Sequence, residues 1–155
     1  MRRSSKHWNL QKKWARAAAC LGLAVIGLGP AAPAFAQTAA SLTLELNKLE
    51  PQDKSCRAYF VIDNPGDKSY VALKADVVIF QPDGVISRRV ALDLAPVKAA
   101  KQSVKQFDFD GLVCDKVGRV LVNEIVECKL ETGAAGDCLS SLSVKSLVSG
   151  VALSK

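Results

Sequence analysis

The chain has 155 residues, with 21 Lys and Arg against 15 Asp and Glu, a net charge of +6 and a pI of about 9.2. Six of the basic residues (Arg2, Arg3, Lys6, Lys12, Lys13 and Arg16) precede residue 17, so the rest of the chain carries 15 basic and 15 acidic residues and is formally neutral. Its basic pI therefore lends no support to nucleic-acid binding. The only His, His7, lies in the same stretch, which excludes the usual Ser-His-Asp and Cys-His nucleophiles from the remainder and removes the common ligand of zinc and copper.

The N-terminus reads as an export signal over residues 1–36. Residues 17–28 run for 12 positions without a charge. A spanning helix needs roughly 20 apolar residues, so this run fits the core of a cleavable signal peptide. Gly29 and Pro30 end it, and Ala34-Phe35-Ala36 sets small residues at −3 and −1 of a cleavage site before Gln37. Arg2-Arg3 and the mild hydrophobicity of the Ala- and Gly-rich run point to twin-arginine export, whereas Ser4-Ser5-Lys6 lacks the apolar residue of the full motif. The Sec and Tat routes both remain open on these residues. Cys20 is not placed for lipidation, because the apolar run follows it. Met1, Trp8 and Trp14 leave with the signal. The expected location is the periplasm or the medium, with no membrane span after cleavage.

The remaining 119 residues suit one domain. Leu42, Leu44 and Leu46 alternate with Thr43, Glu45 and Asn47. Cys56, Ala58, Phe60 and Ile62 form the next alternating row, stopped by Asn64-Pro65-Gly66-Asp67. Val71, Leu73, Ala75, Val77 and Ile79 follow. Gln81-Pro82-Asp83-Gly84 then suits a type I turn, with Ile86, Val90, Leu92 and Leu94 sharing one parity on the return strand. Residues 103–109 read as a strand, and Asp110-Gly111 turns the chain. Residues 118–128 read as a central strand, apolar on both faces. Residues 133–137 read as a loop and 139–148 as the last strand, after which the chain is expected to fray. Seven strands of period two, with turns every 8 to 12 residues, predict an all-β, antiparallel, immunoglobulin-like sandwich over residues 37–155.

Four cysteines follow the signal, Cys56, Cys114, Cys128 and Cys138, with no C-x-x-C pair. An even number in an exported chain reads as two disulfides. Cys128 ends one predicted strand and Cys138 opens the next, so a hairpin is expected to pair them. That leaves Cys56, on the inward parity of Ala58 and Phe60, to join Cys114. In the chain-entropy model the short bridge contributes about 2.8 kcal/mol and the long one about 4.2.

Residues 59–109 resemble the FxLYD group of bacterial immunoglobulin-like domains. Val61-Ile62-Asp63-Asn64 before a Gly-Asp turn, the strand Val77-Val78-Ile79-Phe80 and the Pro82-Asp83-Gly84 hairpin carry the likeness. With Gly118-Arg119-Val120-Leu121-Val122-Asn123 and the four cysteines, the whole chain is similar to small exported proteins labelled "Tat pathway signal sequence domain" proteins. Both resemblances imply a sandwich; neither implies an activity or supplies catalytic residues.

The candidate sites are few. Asp108 and Asp110, with Asp115 nearby, offer hard oxygen ligands for calcium, although the EF-hand pattern is not met. The same carboxylates are the candidates for a small hydrolase that uses a pair of acids. Arg88 and Arg89 point to opposite faces by strand parity. Val78 and Phe80 lie opposite the core parity of Val77 and Ile79, and form a candidate apolar patch for a protein partner. No cofactor, resident metal or catalytic group is expected. The expected function is that of a non-catalytic interaction or envelope-accessory module, with the hydrolase or calcium-binding domain as its alternative. N-terminal sequencing of protein recovered from the periplasm is expected to begin at Gln37, with no tryptophan fluorescence; a product that retains Trp8 or Trp14 overturns this reading.

Overall fold

The computed structural model describes residues 42–133 and 137–155. The expected signal, with Ala34, Ala36 and Gln37, lies outside the described residues. Apolar residues at every second position commit most of the chain to strands, since period two puts one face of each strand in the core. In chain order these are β1 (Leu42–Pro51), β2 (Ser55–Asn64), β3 (Tyr70–Phe80), β4 (Ile86–Asp93), β5 (Lys101–Asp110), β6 (Arg119–Leu130), β7 (Leu142–Ser146) and β8 (Ala152–Ser154). They make two four-stranded sheets, in the orders β5-β2-β1-β7 and β4-β3-β6-β8. The protein is an all-β sandwich.

The core lies between the sheets. β2 contributes Cys56, Ala58, Phe60 and Ile62, and β3 contributes Leu73, Ala75, Val77 and Ile79. Leu42, Leu44, Leu46, Phe109, Val120 and Val122 join the same cluster. Phe60 meets Phe107 edge to face, with ring centroids 6.0 Å apart, the arrangement that aromatic quadrupoles favour. At the end of β2 the Asn64 side chain is buried: its Nδ2 donates to the carbonyls of Lys68 and Lys98, and its Oδ1 accepts from the Gly66 N–H. One amide thus closes the turn chemistry read from 64–67 and ties it to the segment that enters β5. The β3–β4 turn also follows its residues, with the Gly84 N–H bonded to the Gln81 carbonyl at 2.9 Å and Gly84 at φ 87°, a conformation open to glycine at little cost.

Four expectations need correction. The sheets are mixed: β1 pairs with β7, and β6 with β8, in parallel. A parallel neighbour depends on where a crossover returns, which local alternation does not record. The last residues do not fray, because β8 inserts Leu153 into the core beside Val120; three residues are too short to display a period. Ile86 is exposed and leaves the parity of Leu92, because the β3–β4 register shifts between Ile79 and Phe80. Finally, β6 and β7 form no hairpin. They belong to different sheets, so the chain around Cys138 is a crossover between layers.

The cysteines pair as Cys56–Cys114 and Cys128–Cys138, with Cα separations of 5.0 and 6.3 Å, both inside the usual range. The second bridge spans the layer crossover. The first fastens the 3-10 turn Cys114–Lys116 under β2, where Cys56 is fully buried. Replacing Cys56 and Cys114 by Ala is expected to cost about 4 kcal/mol in urea unfolding, and replacing Cys128 and Cys138 about 3. The reverse order would show that the short bridge carries more of the stability.

Candidate functional site

The solvent-facing sides of both sheets carry charges that pair across neighbouring strands. On the β5-β2-β1-β7 sheet, Asp108 sits opposite Arg57 in register and accepts from its Nε and Nη2 at 2.6 and 2.9 Å. Glu45 accepts from Asn47 Nδ2 at 2.7 Å and pairs with Lys145 at 2.8 Å. Glu50 accepts from Lys48 Nζ and the Tyr59 hydroxyl. On the other sheet, Asp76 is buried on the outer face of β3, where it accepts from Arg89 Nε at 2.6 Å and Asn123 Nδ2 at 2.8 Å. These contacts move the acids. The Arg89 hydrogen bond holds the Asp76 carboxyl below the ordinary carboxylate range, against the desolvation that raises it. Arg57 does the same for Asp108, and Asn47, then Lys145, for Glu45.

The expected calcium ligands do not converge. Asp108 is committed to Arg57, and Asp110 and Asp115 are exposed at the end of β5 and in the 3-10 turn. Among the described residues no three His, Cys, Asp or Glu side chains form a group. The candidate patch differs as well. Val78 is only 8% exposed, between Arg89 and Leu121 in register. Phe80 is half-buried under Arg119, whose guanidinium carbon lies 3.9 Å from the ring centroid. A cation over the ring face covers apolar area that parity alone leaves open. Arg88 and Arg89 do point apart: Arg89 meets Asp76 outside, whereas the Arg88 Nη2 lies beside Gly111.

Clefts lie at both ends of the sandwich: one of about 300 Å³ is lined by Asp67, Lys68, Ser69, Leu130, Glu131 and Thr132, and two more lie at the end away from Lys68. There the turn at 51–55, the β3–β4 turn, the segment 111–118 and the segment 147–151 meet. They enclose a cleft of about 390 Å³ between Leu49, Pro51, Pro82, Cys114, Val117 and Val151. A second, of about 340 Å³, lies between 51–55 and 111–114. Pro51 and Cys114 line both, so the two clefts share one end of the Cys56–Cys114 bridge. Four side chains around these loops are unusually open for their type: Val85 at 56%, Ile86 at 60%, Val113 at 61% and Leu147 at 63%. Each of the clefts at this end borders a single carboxylate, Asp115 in the first and Asp53 in the second. Neither of these two clefts holds a pair of acids of the kind glycoside hydrolysis uses; the cleft at the other end is lined by Asp67 and Glu131.

The walls are set by close packing. The Gly118 N–H donates to the Phe80 carbonyl at 2.8 Å. A Cβ on Gly118 would stand 2.5 Å from the Pro82 Cα, so only glycine lets the β3–β4 turn lie against the entry to β6. From the sequence, Gly118 reads as the start of a strand and of the segment that carries the resemblance to exported proteins, and nothing singles out Val85, Val113 or Leu147. Isolated apolar residues in turn segments have no period, and their only signal is an apolar type where polar turn residues are usual.

The chain matches no protein-family model, no curated protein and no solved structure.

The ion pairs set a pH response. Asp76, Asp108 and Glu45 have folded-state values below their unfolded ones. Their contribution is therefore present above the unfolded values, near pH 4, and is lost as pH falls through the folded ones. The melting temperature is expected to hold from pH 8 to about 5 and to drop below about 4. In Arg89→Leu the NMR-detected titration of Asp76 is expected to move upward; an unmoved titration would show that Arg89 does not set it.

Proposed function

We propose that this protein is an exported, non-catalytic interaction module, acting in the periplasm or the medium through the loop end of its sandwich. The observation that carries this reading is the exposure of Val113, which lines the second cleft, and of Val85, Ile86 and Leu147 in or next to the segments that border the clefts. Water-exposed apolar side chains gathered on rigid loops are the usual mark of a protein-binding surface. Fixing loops in advance lowers the ordering cost of association, and here the Cys56–Cys114 bridge and the Gly118–Pro82 contact fix them.

Three further features support the reading. Two disulfides suit an oxidising compartment. No helix among the described residues is long and apolar enough to cross a membrane. The strand orders β5-β2-β1 and β4-β3-β6 fit the two layers of an immunoglobulin-like core. A sandwich of this kind is what the resemblance to FxLYD domains implies.

The test is site-specific photocrosslinking in the native envelope. A photoreactive residue at Val113 or Leu147 is expected to give one discrete adduct that mass spectrometry identifies. The same residue at Lys68, at the opposite end, is expected to give none. Val113→Asp with Leu147→Asp is expected to weaken capture at least tenfold, about 1.4 kcal/mol, at an unchanged melting temperature. Equal adducts at both ends, or undiminished capture by the double variant, would overturn the assignment.

A further inference from the structure

A different part of the molecule presents a surface to a second copy of itself. β5 is an outer strand of its sheet, with no strand beyond it among the described residues. It pairs with β2 through ten consecutive positions, Ser55↔Asp110 to Asn64↔Lys101, without a register shift. The pairings β1–β2, β3–β4 and β3–β6 are all interrupted by shifts. The other outer strands are shorter: eight residues in β4, five in β7 and three in β8. A long regular edge leaves a row of backbone N–H and C=O groups free to template another strand.

The side chains along this edge are self-complementary. Gln102, Val104 and Gln106 point outward in sequence, and Val104 is 62% exposed. Exposed Lys98 precedes the strand, and the far end of the strand carries exposed Asp108 and Asp110 on the same parity, while Lys101 has the opposite one. Edge lysines normally discourage pairing. Lys105 is not in that role, because its Nζ donates to the Ala95 carbonyl.

We infer that β5 pairs antiparallel with β5 of a second copy, about a two-fold axis at Val104, to join two sandwiches through one continuous eight-stranded sheet. A two-fold axis normal to the sheet keeps outward residues outward, so even-numbered positions face even-numbered ones. With Val104 on the axis, Gln102 faces Gln106 of the second copy, and the two exposed valines cover each other. Asp110 then faces Lys98 of the second copy, while Asp108 stays with Arg57 of its own sheet. A parallel arrangement would set like charge against like, which is unfavourable at cross-strand distance. The symmetric contact is closed, so it ends at a dimer.

Sedimentation velocity and oxidative crosslinking of the periplasmic protein test this. The protein is expected to sediment as a dimer in the micromolar range, and Val104→Lys to weaken dimerisation at least tenfold without lowering the melting temperature. Val104→Cys is expected to give a covalent dimer, because facing Cα atoms lie about 4.5–5.5 Å apart. Gln106→Cys is expected to give none, since its counterpart lies four positions along the strand. A protein monomeric up to about 1 mM, a dimer indifferent to Val104→Lys, or crosslinking at 106 in place of 104 would overturn the inference. A lost dimer with retained photocrosslinking at Val113 would leave the loop-end reading standing.

Discussion

The inward row of β2 is the constraint on which the structure turns. Cys56, Ala58, Phe60 and Ile62 face the interior in unbroken alternation and meet Leu73, Ala75, Val77 and Ile79 of β3 across the sandwich. Each fully buried Phe, Leu, Ile or Val in these rows contributes roughly 1.5–3 kcal/mol, so the two rows supply a large part of the gain on folding. Since the side-chain period is two, slipping either strand by one residue would expose its whole row. That penalty fixes β2 between β1 and β5, and β3 between β4 and β6. Cys56, at the start of the row, carries the same constraint into the loop end through its bridge to Cys114.

The outer faces follow from this fixed register. Arg57 lies opposite Asp108 because β2 and β5 pair without a shift. Asp76 reaches both Arg89 and Asn123 because β6 bulges next to it, between its pairings with Asp76 and Val77. Charges placed this way neutralise one another in place, and each carboxylate so paired is withdrawn from acid–base or metal chemistry. Exposed pairs of this kind add little stability individually. Their effect is to occupy Asp76, Asp108, Glu45 and Glu50 on the two sheet faces.

At the loop end, rigidity and exposure coexist because covalent and steric constraints act together. The disulfide holds the 111–118 segment against β2, and the absence of a Cβ at Gly118 brings the 81–85 turn to within contact of it. Neither device requires the neighbouring side chains to be buried, so Val113 and Leu147 stay in water. The β5 edge is exposed for the opposite reason: a sheet of finite width has to end, and this one ends on its most regular strand.

The sequence by itself determined the fold class, the first six strands and the inward rows, because an alternating pattern such as Cys56-Ala58-Phe60-Ile62 is a local property with one low-energy reading. The bridge partners followed from the same parity and from strand ends, even though the hairpin imagined between Cys128 and Cys138 is a crossover between layers. Only the tertiary structure decided that β7 and β8 run parallel to their neighbours, that Arg119 covers Phe80, that Arg57 occupies Asp108, and that Val85, Val113 and Leu147 gather at one end. Each of these joins residues far apart in the chain, through bulges, crossovers and long flexible side chains. Periodicity encodes which way a residue faces along its own strand, whereas what it faces is set by how the two sheets close on each other.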